Sequence, residues 1–203
     1  MQHRWRVQRT VCGALVAAFL ALVGAVGDGR TQSPPAAADA SRQRAQALDA
    51  LFASLAKATS PDEAQALTVE IWRQWTQSGQ PAVDLLMGQA AGAMAGRNYG
   101  LAVLLLDEIV DTAPLFAEGW NRRATLRFVM GEHERSLADI AKVLALEPRH
   151  FGALVGRGMI HTTASRWKDA LTAYRAALAI NPYIGEAKSI IPALEQKVEG
   201  EKL

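Results

Sequence analysis

The sequence predicts an all-α fold made of stacked helical hairpins. Prolines recur every 34 residues, at Pro114, Pro148 and Pro182. Small residues recur at the same interval in two further columns, which are Ala90, Ala124, Gly158 and Ala102, Ser136, Ala170. A fixed period of 34 with small residues in register indicates a helix–turn–helix unit stacked on copies of itself.

The physics of one unit is clearest in residues 117–150. Its first helix is predicted from about residue 117 to 130 and its second from about 133 to 146. Gly131 lies between them, where the end of a helix favours a residue that tolerates positive φ. Pro148 ends the second helix, because it donates no backbone hydrogen bond and restricts the residue before it. Apolar residues at helical spacing supply the packing surface, namely Trp120, Phe128, Leu137, Ile140, Val143 and Leu144.

This pattern resembles the tetratricopeptide repeat (TPR) family, which has small residues at repeat positions 8 and 20 and proline at position 32. The resemblance covers 83–184 and implies a right-handed α-solenoid with full repeats at 83–116, 117–150 and 151–184. The chain departs from the family at positions 7 and 11, normally Leu and Tyr. Those positions carry Gln89 and Ala93 in the first repeat, Arg123 and Arg127 in the second, and Arg157 and His161 in the third.

Two flanking segments complete the predicted TPR domain, which spans 42–203. Residues 42–80 are expected to form a degenerate helix pair that opens the array. Its second helix begins at a capping box, with Ser60 as N-cap and Glu63 three residues later. Residues 185–198 are expected to form a C-terminal capping helix with a polar outer face, as a solenoid needs for solubility.

Residues 1–27 have the layout of a secretory signal peptide. Arg4, Arg6 and Arg9 precede a 16-residue uncharged stretch, Val11–Val26, and small residues follow. We expect cleavage near Ala25 or Gly27, a periplasmic or secreted product, and a flexible linker at 28–41. The alternative is an uncleaved anchor in the inner membrane, although the stretch is shorter than the roughly 20 residues of a comfortable span.

Charge and cysteine content exclude several functions for the exported chain. Three of its 22 basic residues lie in the predicted signal, which leaves 19 against 20 acidic residues. This balance gives no electrostatic footprint for nucleic acid. The only cysteine, Cys12, lies in the signal as well, so the mature chain has neither a disulfide nor a thiolate metal site.

The sequence contains no catalytic motif, and we expect neither an enzyme nor a cofactor. It lacks H-E-x-x-H, G-x-S-x-G and a Gly-rich phosphate loop. His150 and His161 are interpreted as packing or solvated residues rather than metal ligands, and Trp72 and Trp75 as core residues. Arg123 is expected to form a buried ion pair with Asp139, because buried arginines are almost always paired. A cationic strip that holds an acidic partner is the functional alternative.

The TPR resemblance implies an interaction module with a concave groove, lined by positions 2, 5, 9, 12 and 13 of each first helix. The expected partner-binding residues are Asn121, Thr125, Phe128, Val155, Met159 and Thr162. Asn121 is the best single candidate, since its amide both donates and accepts. The paired Lys and Asn with which some TPR domains clamp a C-terminal carboxylate are absent. We expect a scaffold, or an assembly or chaperone-type adaptor, that binds a protein or peptide in the cell envelope. The alternatives are a membrane-anchored assembly subunit and an envelope enzyme on a helical solenoid.

Overall fold

The computed structural model describes residues 35–200, and within that range the chain forms α-helices joined by short turns. The helices are α1 (Pro35–Leu55), α2 (Pro61–Trp75), α3 (Pro81–Ala95), α4 (Tyr99–Thr112), α5 (Ala117–Val129), α6 (His133–Leu146), α7 (Phe151–Thr163), α8 (Trp167–Ile180) and α9 (Gly185–Gly200). The three predicted repeats correspond to α3–α4, α5–α6 and α7–α8. The structure is therefore the predicted helical solenoid, with a helix pair before the repeats and one helix after them.

The turn inside each repeat has the same hydrogen bonds three times. Its left-handed residue is Arg97, Gly131 and Ser165 in turn, with φ of 55°, 77° and 56°. The next backbone N–H reaches the carbonyl five residues earlier, as Glu132 does to Arg127 at 2.8 Å. This is the Schellman arrangement that satisfies the last carbonyls of a helix. The sequence signals it with glycine only at Gly131.

The two columns of small residues lie where the helices of each repeat cross. Ala102, Ser136 and Ala170 are at most 1% exposed, and the Ser136 hydroxyl donates to the Ala124 carbonyl at 2.7 Å. Gly158 has no room for a side chain, because an added Cβ would lie 2.8 Å from the Tyr174 ring. Small side chains are therefore required for the close approach of the two helices in a repeat.

The opening pair, α1 and α2, packs against the end of the array rather than against the first repeat. Its buried side chains, among them Phe52, Ile71 and Trp75, share one apolar cluster with Phe151, Leu154 and Ala177. The Tyr183 hydroxyl also donates to the Ala58 carbonyl at 2.8 Å. No side chain of α3 or α4 belongs to this cluster among the described residues. The pair thus folds back along the repeats.

Because the pair folds back, the outer face of α3 stays uncovered. Leu85 is 63% exposed, whereas its repeat equivalent Ala153 is 1% exposed. Gly92 is exposed, whereas its equivalents Leu126 and Ile160 are buried. In the second and third repeats these positions pack on the helix pair that precedes them. Within residues 35–200, the first repeat has no such neighbour.

Several predicted boundaries differ from those in the structure. α1 begins at Pro35, within the predicted linker 28–41, because proline is tolerated at a helix start and the alanines that follow favour the helix. The last helix begins at residue 185 as predicted but continues to Gly200 rather than 198. The predicted signal and the first part of the linker lie outside the described residues. Among the helices that are described, none is both long and apolar enough to cross a membrane.

Candidate partner-binding groove

The TPR resemblance assigns an inner groove to positions 2, 5, 9, 12 and 13 of the first helices α3, α5 and α7, and we use that name for these residues. In α5 these residues are Glu118, Asn121, Thr125, Phe128 and Val129. In α7 they are Gly152, Val155, Met159, Thr162 and Thr163, and in α3 they are Asp84, Met87, Ala91, Met94 and Ala95. Most of these side chains are small or apolar, so the groove carries few charged groups.

Helix α2 covers one end of this groove. The Trp72 ring lies so close to Gly152 that an added Cβ would stand 2.7 Å from its Cη2 atom. Trp72 also borders a pocket of about 300 Å³ together with Glu118, Asn121, Arg122 and Thr125. We call Glu118, Asn121, Gly152 and Val155 the covered end of the inner groove.

The covered end contains a fully buried carboxylate. The Glu118 side chain accepts from the Asn121 amide at 2.8 Å and from Arg122 Nε at 2.7 Å. His150 Nε2 lies 3.3 Å from the same carboxylate. A buried carboxylate needs such partners to offset its desolvation. These four residues therefore form one structural network under α2.

His150 lies against Trp75, the second tryptophan of α2. Its Nδ1 accepts from the Ala153 backbone N–H at 3.1 Å and so caps the start of α7. With Nδ1 accepting, the neutral ring carries its proton on Nε2, which faces Glu118. The Trp75 ring stacks on this imidazole at 4.0 Å, with 8° between the planes. His150 is thus fixed by the repeats and supports α2.

A second pocket of about 550 Å³ runs along the seam between α2 and the third repeat. Gln65, Thr68 and Trp72 border it on one side and Val155 on the other. Asn181 and Glu186 close it from the turn before α9 and from α9 itself. Asn181 also donates its amide to the Thr68 hydroxyl at 3.1 Å. The seam is only partly filled by side chains.

The other end of the inner groove is open. Thr125 is exposed, Phe128 and Met159 are half-buried, and Val129 is 53% exposed. Phe128 stacks on His133 with 5.5 Å between ring centroids. The Thr162 hydroxyl donates to the Gly158 carbonyl of its own helix at 2.8 Å. We call Phe128, Val129, Met159, Thr162 and Thr163 the open end.

The structure separates the predicted partner-binding residues into these two ends. Asn121 and Val155 lie at the covered end, whereas Phe128, Met159 and Thr162 lie at the open end. Thr125, which is exposed and also borders the pocket beside Trp72, lies where the two ends meet. Asn121 is 9% exposed and its amide is bound to Glu118. Its amide is therefore already bound within the Glu118 network, and the residue borders the pocket beside Trp72. Trp75 and His150 are buried and Trp72 packs against the same cluster, in agreement with their predicted packing roles. Sequence reasoning missed only that these three residues meet at the covered end, for which the one signal was two tryptophans three residues apart on one helix.

Arg123 and Asp139 lie in contact, as part of a larger ion-pair network. Arg123 also donates to Asp107 of the first repeat at 2.7 Å, and Arg127 donates to Asp139 at 2.7 Å. Burial alone would lower the pKa of Arg123, but the bonds to Asp139 and Asp107 outweigh it and raise that pKa. The network joins the first two repeats, so these arginines are not free to form a cationic strip for a partner.

Neither of the two histidines considered as metal ligands joins a metal-like cluster. His150 contacts Glu118 and Trp75, and His161 Nδ1 accepts from Arg166 Nε at 2.9 Å. Across residues 35–200, no three His, Cys, Asp or Glu side chains are grouped as metal ligands would be. Burial, and then the charge of Arg166, lower the pKa of His161.

Comparison with solved structures shows the same fold. The first TPR of Spaghetti (RPAP3), described as bound to the HSP90 peptide SRMEEVD, superimposes with a TM-score of 0.56 at 18% identity. The match covers 58% of this chain and 93% of that one. The Sgt2 TPR domain of Aspergillus fumigatus gives a TM-score of 0.57 at 22% identity, and covers 61% of this chain and 83% of its own.

Sequence comparison gives a nearer relative. A TPR repeat-containing protein of Rhizobium etli is 38% identical over 164 residues, which are 81% of this chain and 80% of the relative. No protein-family model matches the chain. The identity to the Rhizobium protein extends well beyond the three repeats, and the repeats themselves have the expected helices, turns and close crossings. The chain therefore belongs to the tetratricopeptide repeat proteins.

Proposed function

We propose that this chain is an exported protein-interaction module, a scaffold or chaperone-type adaptor of the cell envelope, which binds a protein segment in its inner groove. The observation that carries the proposal is the open end, where Phe128 and Met159 of two successive first helices are half-buried and Val129 is exposed. Exposed apolar surface of this kind marks interaction sites. The family relationship supports the same class of function, since solved TPR domains of this fold are described with bound peptides.

The chemistry of the open end favours an apolar segment over an acidic chain terminus. Phe128 and Met159 offer aromatic and thioether surface, and methionine adapts to side chains of different shape. The nearby Arg122 is already bound to Glu118. Thr125 donates its hydroxyl to the Asn121 carbonyl of its own helix. The open end therefore presents mainly apolar contacts.

The binding test is a pull-down from envelope extract with Phe128→Ala plus Met159→Ala. The matched control is Leu85→Ala plus Leu104→Ala, which removes exposed apolar side chains from outside the inner groove. We expect the groove variant to lose its partners and the control to retain them, with both variants folded. Equal retention by the two variants would show that the groove is not the binding site.

Export rests on the basic start and the short apolar stretch of residues 1–27. N-terminal sequencing of the protein from its native host should begin near residue 26 or 28. Recovery of Met1 in a carbonate-resistant membrane fraction would instead support the anchored assembly subunit.

A further inference from the structure

We propose that the covered end of the inner groove is a binding surface for an amphipathic helix of a partner protein, and that α2 occupies this surface in the partner's absence. The inference rests on the proposed function, because it concerns the same groove. The partner helix would place one aromatic side chain against Gly152 and a second, three residues later, on His150. Helices that bind in grooves commonly use such spaced anchors on one face.

The first anchor site is a slot for a flat ring. Gly152 lacks a side chain, and an added Cβ there would lie 2.7 and 2.8 Å from two atoms of the Trp72 ring. His150 and Phe151 meet that ring edge-on, with centroids at 5.4 and 5.8 Å. Edge-to-face contacts of this kind fix the orientation of an aromatic side chain as well as burying it. The slot therefore selects an aromatic residue.

The second anchor site is preformed by the repeats. His150 is held by the Ala153 backbone N–H and faces Glu118, and neither of these groups belongs to α2. Glu118 is held in turn by Asn121 and Arg122. The imidazole on which Trp75 stacks thus does not depend on α2 for its position. Binding of another helix to a preorganised surface costs less free energy, because fewer side chains have to be ordered.

The attachment of α2 to this surface is imperfect. Trp75 Nε1 is buried without a hydrogen-bond partner among residues 35–200. The seam pocket of about 550 Å³ leaves space beside Trp72. A partner helix can therefore displace α2 if its side chains fill the seam pocket and form hydrogen bonds with the polar groups that line it.

Displacement by a partner has a measurable consequence. A segment of the same chain acts at a high effective concentration, so α2 competes strongly with any helix added in solution. The apparent affinity for an added helix is reduced in proportion to the fraction of molecules with an open site. Weakening α2 in the chain, while leaving Gly152 and His150 unchanged, should raise that affinity.

The experiment measures binding of a fluorescein-labelled peptide of residues 61–76, the α2 sequence, to the full chain by fluorescence anisotropy. The Trp72→Ala chain should bind the peptide at least tenfold more tightly than wild type. Trp167→Ala is the matched control, since Trp167 lies on α8 in an apolar cluster that, among the described residues, contains no side chain of α1 or α2. It should bind like wild type. Circular dichroism should show that the repeats of both variants remain folded.

A second pair of variants tests the slot itself. Added to Trp72→Ala, Gly152→Ala should abolish the gain in affinity, because the new methyl group occupies the place of the peptide's Trp72 ring. Gly156→Ala makes the same change one turn later, where an added Cβ would lie 3.7 Å from its nearest neighbour, Ile140 Cδ1. This variant should preserve the gain in affinity.

The inference is overturned if Trp72→Ala binds the peptide no more tightly than wild type, or if Gly152→Ala and Gly156→Ala act alike. Failure of the proposed function is a separate result, since it appears in the envelope pull-down with the Phe128 and Met159 variant and not in peptide binding.

Discussion

Arg123 binds both carboxylate oxygens of Asp139, with Nε 3.0 Å from Oδ2 and Nη2 2.9 Å from Oδ1. The two side chains are 12% and 3% exposed, and they connect the first and second helices of one repeat. Arg127 shares the same carboxylate. Asp139 is therefore the shared acceptor of two cations, whereas Arg123 has a second partner in Asp107.

This asymmetry predicts unequal costs for the two single substitutions. Asp139→Asn should lower the free energy of unfolding by about 3–5 kcal/mol, because it leaves the partly buried Arg127 without a carboxylate and Arg123 with only the half-exposed Asp107. Arg123→Met should cost less, since Asp139 keeps Arg127. The double variant should cost less than the sum of the single ones. Urea denaturation of all four proteins tests this, and strictly additive effects would rule out the coupling.

The repeated turns predict a gain in stability from glycine. Arg97 and Ser165 adopt φ of 55° and 56°, a conformation that costs a residue with a side chain roughly 1–2 kcal/mol. Ser165→Gly should therefore raise the free energy of unfolding by up to about 1 kcal/mol, and Gly131→Ala should lower it by a similar amount. Chemical denaturation of the two variants should show opposite shifts, and shifts of the same sign would contradict the turn geometry.

The crossing at Ala124 predicts a penalty for a larger side chain. Ala124 is 2% exposed, and Ala124→Leu should cost about 1–3 kcal/mol through overpacking. Ala138→Leu on the exposed side of α6 is the control and should change stability little. Both variants should still unfold in one transition, because a single repeat does not bury its apolar face alone. An unchanged melting temperature for Ala124→Leu would show that the register is wrong.

The lowered pKa of His161 predicts that the folded chain loses stability in mild acid. Burial, and then the charge of Arg166, lower its pKa in the folded chain, so the folded state takes up a proton less readily than the unfolded state. Its contribution is complete above the unfolded pKa of about 6.5 and is lost as the pH falls from there through the folded value. His161→Gln should therefore lose less melting temperature between pH 7.5 and 5.5 than wild type does. Equal losses would show that His161 is not responsible.

The sequence predicted the features that depend on the repeat period. The bounds of α5 and α6, the crossings at Ala124 and Ser136, and the proximity of Arg123 to Asp139 all follow from register within one repeat. Asp107 joins the network from the preceding repeat. Its participation depends on how two repeats stack, which the period alone does not specify.

The position of α2 could not be read from the same pattern. Trp72 and Gly152 are 80 residues apart, and their contact depends on tertiary packing of the opening pair against the third repeat. The repeat pattern predicts a helix pair that opens the array, and such a pair can pack on the first repeat or fold back on the third. The apolar stripes of α1 and α2 are equally compatible with either place. The prediction of Asn121 as a partner-binding residue assumes a groove without α2.

The most direct test of this account is whether α2 lies in the inner groove in solution. Gln65→Cys and Glu186→Cys place two exposed thiols on opposite sides of the seam pocket, in a chain whose Cys12 is replaced by serine. Gln65→Cys with Gln89→Cys is the control pair, because Gln89 lies on α3, which α2 would approach if it continued the array. Peptide mapping after treatment with a short bifunctional thiol cross-linker should show an intramolecular link for the first pair alone. A link between residues 65 and 89, with none between 65 and 186, would contradict the account.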